Sequence, residues 1–191
     1  MRQALLFDPK GDPIRQDHKV LSTTGTRSAT GRTRSICHTA YPPRASWPGP
    51  DSTMHSAQIG RITVTRFAYG IPVNIKESQD AGHAVVLTTI GDNATHFVDA
   101  TRAEAIAIGE SSAVDCSRTD YNVDFDPDHL QLNLTIPHSV LERVCRDWFG
   151  FVPDNVLCQY KTRIGGNNSS WLALMEYIVR CITDAPSCLC T

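Results

Sequence analysis

The 191-residue sequence has no apolar run near the ~18 residues that a membrane-spanning helix requires. Its amino terminus, MRQALLFDPKGDP, reaches Asp8 and Pro9 after an apolar patch that is too short for the core of a signal peptide. Basic residues are not in excess, because 18 Lys and Arg face 20 Asp and Glu, which gives a net charge of −2. A domain that grips the phosphate backbone of DNA normally carries such an excess. The sequence therefore predicts a cytoplasmic protein without a membrane segment and without a DNA-binding domain in these residues.

Motifs of enzymes and metal sites are also scarce. The seven cysteines form no Cys-x-x-Cys pair, and no Gly-x-Ser-x-Gly nucleophile motif or phosphate-cradling glycine loop is present. The seven histidines form no His-x-His pair, which a metal-dependent cupin would need for its metal. His83 and His96 lie thirteen residues apart, with Glu104 beyond them, so a metal-dependent cupin-type enzyme stays open as an alternative. We expect no cofactor, no metal and no catalytic activity.

The first 57 residues lack a regular hydrophobic pattern. The segment STTGTRSATGRTRS, at 22–35, contains eight Ser or Thr and three Arg, so it buries too little apolar area to offset its ordering entropy. Residues 1–35 are therefore predicted to form a disordered or mobile arm. Four prolines between Pro42 and Pro50 exclude a helix or a central strand, which predicts irregular chain over 36–57. Trp47 stands among these prolines, as either a lid on the core or a ligand contact.

Short strands follow one another closely from residue 58 to residue 136. In RITVTRFAYG, a face with Val64 and Arg66 alternates with a face that carries Phe67 and Tyr69. The segment LQLNLTI shows the same period of two, HAVVLTTI is rich in β-branched residues, and turn-forming Gly, Pro, Asp and Asn stand between the runs. Closely spaced strands with turns between them predict a cupin-like antiparallel β-barrel or sandwich over 36–136.

Residues 137–184 change to a helical period. A first helix is predicted from Pro137 to Gly150, and a second begins after the cap signal Asn168-Ser169. One apolar stripe runs along the second helix and comprises Trp171, Leu174, Met175, Ile178 and Ile182. The predicted fold class is therefore mainly β with C-terminal helices, and residues 185–191 are left as a tail.

Two parts of this pattern resemble the N-terminal domain of AraC/XylS-type bacterial transcription regulators. The matching residues are Tyr69, Gly70, Pro72 and Val73 after the first clear strand, and Ile136, Pro137, Leu141 and Glu142 where the first helix begins. The resemblance covers residues 36–184. It implies transcription regulation as the function, a cupin-like barrel that binds a small effector, and a helical segment over 137–184 that pairs two copies into a homodimer.

Members of that family continue into a C-terminal domain with two helix-turn-helix units. Only seven residues follow Asp184 in this sequence, and they are too few to form such a unit. The sequence therefore predicts a truncated regulator that contacts DNA only through a domain absent from these residues. A truncated gene, a frameshift and a genuine sensor-only protein all stay open as explanations. A ligand-free interaction module is a further alternative function.

The effector is expected in the mouth of the barrel, where side chains of several strands converge. The candidate effector-binding residues are Trp47, Arg66, Phe67, Tyr69, His83 and His96. Arginine would pair with a carboxylate and the aromatic rings would stack on a ring or sugar face, and the family resemblance points to an aromatic acid or a sugar. The apolar stripe of the second helix is expected either to contact a second copy or to cover the barrel.

Overall fold

Two antiparallel β-sheets and two α-helices make up the described part of the chain. The computed structural model describes Leu5 and residues 37–40, 52–78, 82–92, 94–97, 103–115, 122–152, 162–166 and 168–184. Both helices come after residue 137. The predicted fold class, mainly β with helices toward the carboxyl terminus, is confirmed.

Eleven strands are described, and they are divided between the two sheets. In chain order they are β1 (Cys37–Ala40), β2 (Thr53–Ile59), β3 (Ile62–Ala68), β4 (Val73–Ser78), β5 (His83–Gly91), β6 (Ala94–Phe97), β7 (Ala103–Ile106), β8 (Glu110–Val114), β9 (Asn122–Phe125), β10 (Leu130–Pro137) and β11 (Thr162–Gly165). The five-stranded sheet has the order β1-β4-β9-β6-β7, and the six-stranded sheet has the order β11-β8-β5-β10-β3-β2. The two sheets form a β-sandwich.

The first helix, α1 (His138–Phe149), follows directly on the last residue of β10. Pro137 precedes it as the N-cap, and Gly150 ends it with a φ of 74°, the left-handed conformation that glycine adopts without steric cost. Val140 is buried, whereas Trp148 is 77% exposed at the far end of the helix. The predicted boundary at Gly150 is confirmed.

The second helix, α2 (Ser170–Asp184), covers one face of the six-stranded sheet. Ser169 caps its start, because the Oγ atom accepts a hydrogen bond from Leu172 N at 3.1 Å. Met175 is fully buried against the sheet. We call the sheet face under α2 the outer face, and the face toward the five-stranded sheet the inner face.

Two apolar clusters follow from this layering. The inner cluster lies between the sheets and contains Phe67, Tyr69, Ile71, Val73, Ile75, Ala94, Ile106, Val114, Val123 and Phe125. The outer cluster lies under α2 and contains Leu5, Val64, Val86, Ile90, Leu132, Leu134, Met175, Val179 and Ile182. Because the six-stranded sheet is covered on both faces, a one-residue shift in the register of any strand would exchange the two sets of side chains.

Some elements differ from the sequence-based expectations. The prediction of irregular chain over 36–57 is wrong at 37–40 and 53–57. Strand β1 ends before the proline-rich stretch, and strand β2 begins after it. The short strand β11 was not expected either. Of the predicted mobile arm, the structure describes Leu5, which is fully buried in the outer cluster and so departs from that expectation. The rest of 1–35, and Trp47, lie outside the described residues.

Candidate functional site

Four aromatic rings line part of the space between the sheets. Phe67 meets Tyr69 edge to face with 4.4 Å between ring centroids, and Tyr69 stacks on Phe125 at 5.4 Å. The ring of His129 lies 4.7 Å from that of Phe125. Phe67 belongs to the six-stranded sheet and Phe125 to the five-stranded sheet, so the rings join the two sheets. Such pairs each add about 0.5–1.5 kcal/mol beyond the burial of their area.

Polar side chains lie beside these rings on the inner face. Strand alternation places Gln131 and Asn133 there, because Leu132 and Leu134 belong to the outer cluster. In the register of β10 and β3, Gln131 is directly opposite Phe67. An amide group is therefore adjacent to the aromatic rings.

Ser112 adds a third polar group to the same face. It lies on β8 two residues before Val114, which belongs to the inner cluster. Leu87 is opposite Asn133 on one side and opposite Ser112 on the other, so it separates the two polar side chains. Strand geometry puts Gln131 and Asn133 about 7 Å apart, and Asn133 and Ser112 about 10 Å apart. We call Ser112, Gln131 and Asn133 the polar row.

Each residue of the polar row has a buried oxygen that receives no hydrogen bond from the residues described. The atoms are Ser112 Oγ, Gln131 Oε1 and Asn133 Oδ1. Ser112 is 1% exposed and Gln131 is 4% exposed. A buried polar group without a partner costs about 1–3 kcal/mol, and native proteins contain few of them. Three on one sheet face therefore form an interior patch of hydrogen-bond acceptors that a bound molecule could satisfy.

An ion-pair cluster closes the edge of the sandwich next to Ser112. Arg163 is opposite Ser112 in the register of β11 and β8, and it donates a hydrogen bond to the Glu110 carboxylate. It also donates to Ala105 O, in the other sheet, at 3.1 Å. A hydrogen bond from Ala107 N, together with Arg163, holds the pKa of Glu110 below its ordinary value. The cluster links the edge strands of the two sheets.

Hydrogen bonds on the outer face connect the same strand to α2. Ser111 Oγ lies 2.8 Å from Thr88 Oγ1 and accepts a hydrogen bond from Trp171 Nε1 at 2.7 Å. Ser111 and Thr88 are both completely buried. Neighbouring serines of β8 therefore differ in their environment: Ser111 is bonded to two partners under α2, whereas the hydroxyl of Ser112 faces the interior without a partner among the described residues.

A comparison with solved structures relates this arrangement to a known fold. The chain is similar in fold to an AraC-like transcriptional activator. That protein, CuxR, has a TM-score of 0.57 and 16% sequence identity, and the match covers 81% of this chain and 61% of CuxR. This chain thus spans less than two thirds of the length of CuxR. At this identity the likeness shows the fold alone, and it agrees with the expected AraC-type N-terminal domain.

A second solved structure, the 7S globulin of Momordica charantia, is a much weaker match. It shares 12% identity over 79% of this chain and 43% of the globulin, and its TM-score of 0.27 is too low to carry an argument. No protein-family model and no curated protein matches the chain.

The structure brings together two of the six predicted effector contacts, Phe67 and Tyr69. Arg66 lies on the outer face, opposite His55 and Leu132, because adjacent residues of a strand point to opposite faces. Burial there lowers the pKa of Arg66. Arg66 therefore does not share the interior with the two aromatic rings.

The other predicted contacts lie at separate places or outside the described residues. His83 begins β5 opposite Pro137, and His96 lies on β6 opposite Glu104. Trp47 is not among the described residues. Within the described ranges, no group of three His, Cys, Asp or Glu side chains could hold a metal ion. Effector contact by His83, His96 and Trp47 stays a prediction.

The apolar stripe of α2 mostly packs onto its own sheet. Met175 and Ile182 are buried in the outer cluster, and Trp171 and Ile178 pack against that cluster. Leu174 is 46% exposed. These positions fit the covering role, and a dimer contact through the stripe stays a prediction. No helix in the described part of the chain is long and apolar enough to cross a bilayer.

The sequence-based candidates did not include the polar row. Gln131 and Asn133 stand at the polar positions of LQLNLTI, which in an amphipathic strand normally face solvent. Here the five-stranded sheet covers that face. The strict alternation in LQLNLTI indicates that the two polar residues share one face of the strand. It does not indicate whether that face is exposed to solvent or covered by a second sheet.

Proposed function

We propose that this chain is the sensor domain of a transcription regulator and binds a small effector between its two sheets. The polar row carries the proposal, because it places three buried acceptors on one sheet face, one of which, Gln131, is opposite the ring of Phe67. Ligand sites in proteins commonly combine an apolar lining with a few convergent polar groups. The fold likeness to an AraC-like activator supports the regulatory context.

An effector in this position would be linked to protein stability. The polar row is buried without partners among the described side chains, so a ligand that hydrogen-bonds it removes part of that cost. A ligand that binds only the folded state at a hundred times its dissociation constant adds about 2.7 kcal/mol to the free energy of unfolding. For a domain of this size we expect a rise in Tm of about 5–10 °C.

We further propose that α1 carries the contact between two copies. Its apolar residues span about half of the helix circumference, at 100° per residue, and they are Val140, Leu141, Val144, Cys145, Trp148 and Phe149. Of these, Val140 is buried, whereas Val144, Trp148 and Phe149 are exposed.

The charges of α1 favour a second copy as the partner. In an antiparallel pair of α1 helices centred on Val144, Glu142 of one copy lies opposite Arg146 of the other. At 100° per residue, Glu142 directly borders the apolar half of the helix, whereas Arg146 lies about 60° beyond the edge on the same side. The two ion pairs would therefore lie along one side of the apolar contact, and Arg146 would reach it through its long side chain. DNA contact, by the family resemblance, belongs to a different domain.

A thermal-shift screen tests the sensor proposal. The purified chain is heated with aromatic acids, amines and sugars, each with and without added iron or zinc. We expect a rise in Tm with one organic class and no requirement for metal. A rise with metal alone would instead favour a metal-dependent enzyme. An unchanged Tm with all three organic classes would overturn the proposal and favour a ligand-free interaction module.

A further inference from the structure

We propose that the first turn of α1 is a clasp that fixes the direction in which the helix leaves the sandwich, with Asp115 as its positioning residue. We call His138 and Ser139, with their partners Gly82, Arg61 and Asp115, the clasp. Because α1 is the proposed contact between two copies, the clasp would also decide how that contact is presented, and in that respect the inference rests on the proposed function.

The contacts that hold α1 to the described part of the chain are concentrated in its first turn. His138 N donates a hydrogen bond to Gly82 O, just before β5, at 3.0 Å. Arg61, in the turn between β2 and β3, donates from its guanidinium group to Ser139 Oγ at 2.7 Å. Val140 is the buried residue of the helix, and the large apolar side chains of the last two turns are exposed. The direction of α1 therefore depends mainly on contacts at one end.

Asp115 supplies the buried part of the clasp. Its Oδ2 atom lies within hydrogen-bond distance of His138 Nε2, at 2.9 Å, and its side chain is completely buried, whereas the imidazole is 19% exposed. The helix has no acidic residue in its first turn and no side-chain cap at its N-terminus. The Asp115 carboxylate therefore brings to the start of α1 the negative charge that the helix dipole favours there. Because a buried carboxylate that loses a partner is strongly destabilising, this contact resists displacement more than the exposed bond between Arg61 and Ser139 does.

The residue that holds α1 is part of the same chain segment as strand β8. Asp115 directly follows β8, and it stands four residues after Ser111, so strand alternation places both on the outer side of the sheet. Ser111 accepts the hydrogen bond from Trp171 of α2. One strand therefore carries attachments of both helices, through Ser111 to α2 and through Asp115 to α1.

The clasp acts at the base of a lever. With 12 residues, α1 is about 18 Å long at 1.5 Å per residue, so a change of about 10° in its direction moves its far end by about 3 Å. Trp148 lies in the last turn, at that end. Close packing between two helices is lost over such a distance. A small movement of β8 is therefore enlarged at the surface that is proposed to meet a second copy.

Hydrogen exchange of the full chain, measured by mass spectrometry, tests the clasp one helix at a time. His138→Ala removes the imidazole from Asp115, and Ser111→Ala is the matched control, because it removes a buried partner on the same strand from α2. We expect His138→Ala to speed the exchange of amides 142–149 about tenfold or more, with less than about a threefold change in α2. Ser111→Ala should speed exchange in α2 and leave that of α1 within about threefold. An equal rise in both helices for His138→Ala would overturn the inference, because the pair would then support the whole fold and not α1 in particular.

A double variant shows whether Asp115 acts through His138. Asp115→Asn keeps the shape of the side chain and removes its charge, so the exchange of α1 should rise by less than in His138→Ala. When Asp115→Asn is combined with His138→Ala, the rise should be no greater than for His138→Ala alone, since both substitutions break one contact. A rise equal to the product of the two single effects would overturn the role of Asp115 as the positioning residue.

Sedimentation equilibrium separates the clasp from the proposed contact between copies. A freed α1 has to be ordered when two copies meet, so His138→Ala should weaken self-association about tenfold. If the exchange of α1 rises as expected and self-association stays unchanged, the clasp is supported and α1 is excluded as the contact. If the exchange of α1 stays as in the wild type, the clasp is overturned, whatever the effect on self-association.

Discussion

The two neighbouring serines of β8 give a sharp test of the interior site. Ser111 and Ser112 are 0% and 1% exposed, so alanine substitution removes one buried hydroxyl at either position. Ser111 Oγ has two hydrogen-bond partners, Thr88 and Trp171. Ser112 Oγ has none among the described residues. We predict that the two substitutions change the free energy of unfolding in opposite directions.

The expected magnitudes follow from what each substitution leaves behind. Ser111→Ala leaves Thr88 Oγ1 fully buried and Trp171 Nε1 partly buried without their partner. Each such group costs about 1–3 kcal/mol, and since Trp171 retains some exposure we expect a loss of about 2–4 kcal/mol. Ser112→Ala leaves nothing unpaired and removes one unpartnered hydroxyl, so we expect a gain of about 1 kcal/mol.

Urea unfolding followed by circular dichroism measures both changes. With a slope near 2 kcal/mol per molar urea, the midpoint should fall by about 1–2 M for Ser111→Ala and rise by about 0.5 M for Ser112→Ala. Both variants are compared at one protein concentration, because association would shift the midpoint. A loss of stability for Ser112→Ala would refute the reasoning, because it would mean that the hydroxyl is satisfied in the folded protein.

Three further predictions concern the sheet edge, a glycine and the helix contact. The folded-state pKa of Glu110 is lowered, so its contribution to stability is present above the ordinary pKa of 4.5 and is lost as pH falls through the lowered value. The difference in unfolding free energy between the wild type and Glu110→Gln should therefore shrink on acidification. A difference that stays constant with pH would contradict this. Gly165→Ala should lower the free energy of unfolding by about 1 kcal/mol or more beyond the loss for Gly60→Ala, as measured by thermal unfolding. Both glycines have a positive φ, but a Cβ at Gly165 would lie 2.8 Å from Gly109 O, whereas a Cβ at Gly60 would have no atom within 4 Å. Trp148→Asp on α1 should weaken self-association about 30-fold or more in sedimentation equilibrium. Tyr177→Asp, at another exposed ring on α2, should not weaken it, and the reverse result would assign the dimer contact to α2.

The sequence predicted those parts of the fold whose patterns are local. The alternation in LQLNLTI and RITVTRFAYG correctly assigned the faces of β10 and β3, and Gly150 and Ser169 correctly marked helix boundaries. Strand β11 has only four residues, TRIG, and pairs with the open edge of β8. This strand depends on pairing with β8, which lies more than forty residues earlier in the chain, and a local sequence pattern does not indicate such pairing.

The candidate site depended on a contact between distant parts of the chain. The alternation of β10 predicts that Gln131 and Asn133 share a face, but polar residues on one face of a strand ordinarily indicate solvent. Only the packing of the five-stranded sheet makes that face interior. Strand alternation also separates Arg66 from Phe67, because adjacent side chains leave the strand in opposite directions, and effector contact by Arg66 stays a prediction.

The surroundings of two tryptophans have a spectroscopic consequence. Trp171 is partly buried, with its indole N–H bonded to a serine that directly precedes the polar row, whereas Trp148 is 77% exposed at the end of α1. Iodide should therefore quench the emission of Trp148 and leave most of that of Trp171. In a background where Trp47 and one of the two are replaced by Phe, the emission of the remaining indole reports on a single place. Occupation of the interior would change the Trp171 signal, self-association would change the Trp148 signal, and one fluorimeter titration could follow the two events separately.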